Sequence, residues 1–182
     1  HGKAAQAAMQ IVLRMAALAI LRGYQDGRFG GDDRTLRAQM AALIARGMGF
    51  DRAATWAQED HAAPFPDRGA IDDDLWRSVG TLYFYNVARG YPDGTYDPFG
   101  AVLYAQTVSF ITRAMVTNGY WQQQPDDPGL YPNVPASSGH RADIATYVHY
   151  AGLLPGTGAP GQDWPLWDRP ATRLWFAQTE WR

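Results

Sequence analysis

The stretch Gly90–Pro98, GYPDGTYDP, has an earlier counterpart in Gly23–Gly31, GYQDGRFGG. In both, an Asp-Gly pair stands between aromatic residues. Asp-Gly marks a tight turn, because glycine accepts a positive φ and the aspartate side chain can bond the backbone just ahead of it. Asp26–Gly27 and Asp93–Gly94 are therefore read as turn residues, with Gly23 and Gly90 opening the loops. Tyr24 and Phe29 in one copy, and Tyr91 and Tyr96 in the other, are expected to fold back as apolar plugs.

Outward from the loop, the likeness continues. A shift of 67 residues lays RGYQDGRFG over RGYPDGTYD and then LRAQMAALIARGM over LYAQTVSFITRAM, with no gap. Self-similarity at a fixed period signals a repeat architecture. A looser third copy follows, since FPD at Phe65–Asp67 recurs as YPNV at Tyr131–Val134. Before each loop, apolar residues three and four apart draw one stripe on a helix: Ile11, Met15 and Leu18; Leu75, Val79 and Leu82; Ile144, Tyr147 and Val148. These patterns run to Gly23, Gly90 and Gly152, read as left-handed caps. Second helices are expected over Leu36–Met48, Leu103–Val116 and Arg173–Trp181.

Each unit thus reads as a lead-in turn, a helix, a glycine-capped loop and a second helix. One such unit cannot bury its own stripe, so the three are expected to pack together. The predicted fold is all-α: three helix-loop-helix repeats in a pseudo-threefold bundle. It forms one domain over 1–182, with repeats at 1–50, 65–117 and 131–182. The links Gly49–Pro64 and Thr117–Leu130 are long for packed helices. They are expected to lie on the surface as ordered loops, pinned by Trp56 and Trp121.

Composition narrows the function. With 46% hydrophobic and 19% charged residues, the 182-residue chain is that of a folded globular protein. A net charge of -2 argues against nucleic-acid binding, which needs a basic face. Lys3 is the only lysine, so an anionic partner must be held by placed arginines. Cysteine is absent, which removes disulfides and thiolate metal sites. The most apolar run, Ile11–Leu21, is too short to span a bilayer and carries Arg14. Starting at His1 without a methionine, the chain reads as a processed product or a fragment.

The lead-in, the GYPDGTY loop and the following LYAQ helix start resemble the S-layer homology (SLH) repeat. That family is commonly written as an F-x-D-V lead-in, a G-Y-x-D-G-x-F loop and an I-T-R-A-E helix start. The resemblance covers nearly the whole chain; the second repeat is clearest, the first lacks its F-x-D and the third is most diverged. It implies an extracellular, non-catalytic anchoring module at the cell wall or surface layer. Such a module binds an anionic, often pyruvylated, secondary cell-wall polysaccharide in grooves between repeats. The alternative is an assembly module that has lost glycan binding and contacts other surface-layer or filament subunits.

The helix-start motif has its own chemistry. Thr and Glu three residues apart form a capping box. The intervening arginine and the helix N-terminal amides can meet a carboxylate. Here the motif is eroded: TLRAQ keeps Arg37 but has Gln39 for Glu and Leu36 for Thr, and VLYAQ has Tyr104 for Arg. ATRLW keeps Thr172 and Arg173 but has Trp175 for Glu. Two arginine-centred grooves are the most this allows. The candidate glycan contacts are Arg37, Arg173, Tyr104, Gln39 and Gln106, with Trp164 and Trp167 of the third loop as an aromatic platform.

No cofactor, metal or catalytic residue is expected. Ile71–Asp74, IDDD, complements a helix dipole and matches no calcium loop. His1, His61, His140 and His149 lack metal-ligand spacing, and no nucleophile elbow or phosphate loop is present.

Overall fold

The structure is a computed structural model and describes residues 26–50, 63–152, 154 and 159–175. Its α-helices are α1 (Arg37–Gly47), α2 (Asp73–Phe84), α3 (Tyr104–Thr117) and α4 (Arg141–Ala151), with a 3-10 turn at Ala136–Ser138. Another helical start follows at 173–175. The described residues contain no strand, only isolated bridges that pair Arg34 with Thr172, Leu36 with Ala101, and Leu103 with Pro170.

Those bridges close a ring. Thr35 N–H donates to Ala171 O at 3.0 Å, Ala171 N–H to Val102 O at 2.8 Å, and Val102 N–H to Thr35 O at 2.9 Å. All three residues are fully buried. The helix that follows each corner opens in the same way. Arg37, Tyr104 and Arg173 donate their amides to Gly100, Arg169 and Asp33 carbonyls at 2.9, 2.9 and 3.1 Å. The next amides, of Ala38, Ala105 and Leu174, go to Pro98, Trp167 and Gly31 carbonyls at 3.2, 3.0 and 3.0 Å. Two orphan donors of every helix start are thus satisfied by the neighbouring unit. The fold is an all-α bundle of three units around an approximate threefold axis.

This ring overturns one expectation. The first two amides of each helix start are occupied by neighbouring carbonyls, so they are not open to an anion.

Hydrophobic burial holds the units together. α1 packs on α2 and α3 on α4. Met40, Ile44, Val79, Leu82 and Val108 are completely buried, each side chain contributing roughly 1.5–3 kcal/mol. α2 begins where Asp72 accepts the Asp74 amide at 2.9 Å, and Asp73 and Asp74 face its positive end. It stops at Phe84, earlier than the glycine pattern implies. Asn86, at φ 57°, takes the left-handed position while Val87 N–H returns to Leu82 O at 2.8 Å. Asparagine tolerates that conformation, so Gly90 is a loop residue and not the cap of α2. α4 does end on Gly152, at φ 84°.

The link from α3 to the third unit is strapped along α4. Trp121 stacks on Tyr150 with ring centroids 5.2 Å apart, and Gln122 N–H donates to Tyr150 Oη at 3.0 Å. Gln123 Nε2 and Gln124 N–H donate to Thr146 Oγ1 at 2.8 and 2.9 Å. Arg141 pairs with Asp126 at 2.9 Å. Trp56 lies outside the described residues.

Candidate functional site

The site begins with the loops. Asp93 Oδ1 accepts Thr95 N–H at 2.9 Å and Thr95 Oγ1–H at 2.7 Å, and Gly94 sits at φ 84°. Asp26 Oδ1 accepts Arg28 N–H at 3.0 Å, with Gly27 at φ 83°. Bonds to Thr95 hold the Asp93 carboxyl below the usual carboxylate range, and bonds to Arg28 do the same for Asp26. A Cβ on Gly90 would come within 2.4 Å of the Phe65 ring and 2.7 Å of Thr95 O, so only glycine lets the loop close there. Gly23 and Tyr24 lie outside the described residues.

The lead-in aspartate closes the second loop from outside. Asp67 accepts Tyr96 N–H at 3.0 Å and Asp97 N–H at 2.7 Å, and the Phe65 ring lies 5.2 Å from the Tyr96 ring. In the third unit Asn133 Oδ1 accepts Trp164 N–H at 2.7 Å, its Nδ2 donates to Trp164 O at 2.9 Å, and Tyr131 lies 5.8 Å from Trp164. Trp164 is therefore the counterpart of Tyr96, a buried loop plug. At 0% exposure it offers no face to a sugar, which corrects its reading as a platform. Trp167 is half-buried against the core and lends its carbonyl to Ala105.

Three seams separate the units, and they differ. At the first, Arg37 is 3% exposed, and its Nε donates to Tyr96 O at 2.7 Å. Its guanidinium carbon lies 4.5 Å from the Tyr91 ring centre and 4.7 Å from that of Tyr96. Among the described residues Arg37 has no ion pair, and its Nη atoms have no hydrogen bond. The guanidinium lines a cleft of about 330 Å³ with Arg89, Arg113, Tyr91, Gln106, Phe110 and His140. Among the described residues no carboxylate lines this cleft. Gln106 Oε1 accepts Leu103 N–H at 3.1 Å, taking over the capping role of glutamate, while its Nε2 donates to Tyr91 Oη at 3.3 Å. Gln39 caps α1 likewise through Leu36 N–H at 3.2 Å.

At the second seam Arg173 repeats half of this geometry. It is 5% exposed, its Nε donates to Phe29 O at 3.0 Å, and its guanidinium carbon lies 5.3 Å from the Phe29 ring centre. The first-unit residues Arg22 and Tyr24, which answer to Arg89 and Tyr91, lie outside the described residues. The third seam is aromatic: Tyr104 meets Trp175 edge-on at 4.4 Å, with both rings buried. Two departures from the helix-start motif, Tyr for Arg and Trp for Glu, form a single contact.

The charge of the first cleft is shaped by its wall. Burial, then Arg113 and Arg37, push His140 down to about 4, so it is neutral at pH 7. Arg113 donates through Nε and Nη2 to Asp143 Oδ2 at 2.9 and 2.8 Å. Burial raises the Asp143 carboxyl, and Arg113 pulls it partly back. The sequence reading brought Arg37 and Gln106 to this cleft but missed Arg89, Arg113 and His140. A signal existed for two of them: each loop copy opens Arg-Gly-Tyr, and Arg46 recurs as Arg113.

The S-layer homology domain model matches residues 2–41 and 64–108, one lead-in and loop with its helix start in the second segment. The chain is 34% identical over 140 residues to a surface layer protein of Brevibacillus choshinensis, covering 76% of this chain and 12% of that protein. It is 31% identical over 139 residues to a middle cell wall protein of Brevibacillus brevis, covering 75% and 12%. A cell surface protein of Thermoanaerobacter kivui shares 32% over 106 residues, covering 57% and 13%. The chain thus matches only about an eighth of the length of these relatives. Two segments carry the SLH signature, and the chain is a component of the cell surface or cell wall.

Proposed function

We propose that residues 1–182 form one SLH module of three repeats, 1–50, 65–117 and 131–182, the first without its F-x-D lead-in and the third diverged. The module anchors a larger protein, without catalysis, by binding an anionic secondary cell-wall polysaccharide such as a pyruvylated one. The carrying observation is the cleft at Arg37, where three guanidiniums and two aromatic rings meet and, among the described residues, no carboxylate lines the wall. A buried cation without a counter-ion is costly. A ligand carboxylate offsets that cost with charge-assisted bonds, and Tyr91 supplies an apolar face for a sugar ring. Arg173 serves a second groove.

Retention on wall polysaccharide purified from the producing bacterium tests this. Arg37→Ala is expected to weaken retention by about ten- to hundredfold, with a smaller loss for Arg173→Ala. Equal retention of both variants and the parent removes the mechanism. A second reading, assembly with other surface-layer or filament subunits, draws on exposed aromatics: Phe84 at 60%, Phe99 at 55% and Tyr120 at 69%. Concentration-dependent light scattering without polysaccharide retention favours it.

A further inference from the structure

The three arginines of the Arg37 cleft are held in two different ways. Arg113 is fully engaged by the protein: Nε and Nη2 donate to Asp143 Oδ2 at 2.9 and 2.8 Å, and Nη1 donates to Val87 O at 3.4 Å. Its charge is met by the Asp143 carboxylate. Arg37 and Arg89 are each anchored through Nε alone, and to a neutral oxygen: Tyr96 O at 2.7 Å for Arg37, Asn86 Oδ1 at 2.9 Å for Arg89. Among the described residues neither has an ion pair, and their Nη groups have no hydrogen bond. The buried side-chain atoms that lack a partner among the described residues are Thr35 Oγ1 and Trp164 Nε1. The Nη groups of Arg37 therefore reach solvent although the residue is buried, and the opening beside them is the cleft. A guanidinium held by Nε leaves its two Nη groups as parallel donors, the fork that matches a carboxylate or phosphate.

Arg89 is exposed and stands at the rim. An arginine in that setting spreads over many rotamers, and ordering it for a ligand costs side-chain entropy. Its tether removes part of that cost in advance. Asn86, which supplies the tether, is also where the chain turns left-handed at φ 57° after α2. Glycine takes this φ with less strain. What asparagine adds is the side-chain oxygen that holds Arg89 three residues on. Gly90 and Tyr91 follow directly, and the Tyr91 ring centre lies 4.5 Å from the Arg37 guanidinium carbon. The turn at Asn86 thus delivers Arg89 to the wall that Arg37 already lines.

We infer that Arg37 and Arg89 form a clamp for one acidic group of the ligand, and that Asn86 is the positioning residue that holds Arg89 ready for it. Arg113 is a strut that ties α3 to α4 through Asp143 and takes no direct part. The acidic group, a carboxylate or a phosphate, sits between a buried fork and a rim fork, with its sugar ring over Tyr91. This rests on the polysaccharide reading of the cleft and adds two specificity-determining residues to it.

Arginine Nε–H resonances, followed during titration with sulfate at fixed ionic strength, show which guanidiniums take an anion. Arg37 and Arg89 are expected to shift together and saturate at a common concentration, while Arg113 stays in place. No saturable shift at Arg89, or a response led by Arg113, overturns the inference. Retention on wall polysaccharide from the producing bacterium gives the second arm. Arg89→Gln is expected to bind about tenfold more weakly, and Asn86→Gly about threefold more weakly. Asn86→Gly should keep the denaturation midpoint of the parent, because glycine accepts the same φ; a purely structural Asn86 would leave binding untouched. If Arg37→Ala loses retention while Arg89→Gln and Asn86→Gly do not, the inference fails and the anchoring reading stands. If the parent is not retained but sulfate moves Arg37 and Arg89 together, the anchoring reading fails and the clamp stands.

Discussion

The seam at Arg37 and the seam at Tyr104 occupy equivalent places in the bundle and are built in opposite ways. In one, a guanidinium lies between aromatic rings at the edge of a 330 Å³ cleft, beside two further arginines. In the other, Tyr104 and Trp175 fill the same positions with rings packed edge to plane. The backbone around both is alike: each helix start gives its first two amides to the neighbouring loop. The main-chain frame is therefore the same whichever side chain stands at the arginine position. Main-chain hydrogen bonds and loop plugs hold both seams, and on the proposed reading the residue at the arginine position decides whether a seam can take a ligand.

Substitutions can break that division. The largest effect is expected from the plug beside the aromatic seam. Trp164→Ala empties a fully buried position and should lower stability by about 3–5 kcal/mol, measured by chemical denaturation. Arg37→Ala strips Tyr96 O of its donor and should cost less stability, about 1–3 kcal/mol, while binding drops about ten- to hundredfold. If it unfolds the protein instead, the charged seam is structural too and the contrast is lost.

Acid should separate the seams next. His140 sits at about 4 in the folded protein against about 6.5 unfolded. Between those values the unfolded chain binds the proton first, so stability is intact above pH 6.5 and falls as pH drops toward 4. Allowing for partial solvent contact, a loss of about 1–2 kcal/mol is expected. Asp143, raised by burial, acts in the opposite direction at the acid end. Denaturation midpoints of the parent and His140→Gln at pH 5, 6 and 7 isolate the histidine; parallel profiles would count against its burial. The smallest effect is the Tyr104–Trp175 coupling, about 0.5–1.5 kcal/mol in a double-mutant cycle. A coupling near zero would mean the two rings fill space independently.

The loops were legible in the sequence because their chemistry is local. Asp93 bonds Thr95 two residues on, and Gly94 takes the positive φ that Asp-Gly implies. The all-α class and the α3 start were legible for the same reason. Trp164 was misread since its loop lacks the G-Y-x-D-G spelling; only its pairing with Asn133, 31 residues earlier, shows it to be a plug. α2 was overextended because Asn86 supplies a left-handed cap that glycine was expected to provide. His140 carried no signal at all. It precedes α4 in the third unit and reaches the cleft only through packing of α4 on α3.

The closed circuit of Thr35, Val102 and Ala171 also bears on how the protein withstands pulling. Each corner is tied to both others, so detaching any unit severs two junctions at once. Under shear, such a knot yields as a whole or holds, and gives no gradual slack.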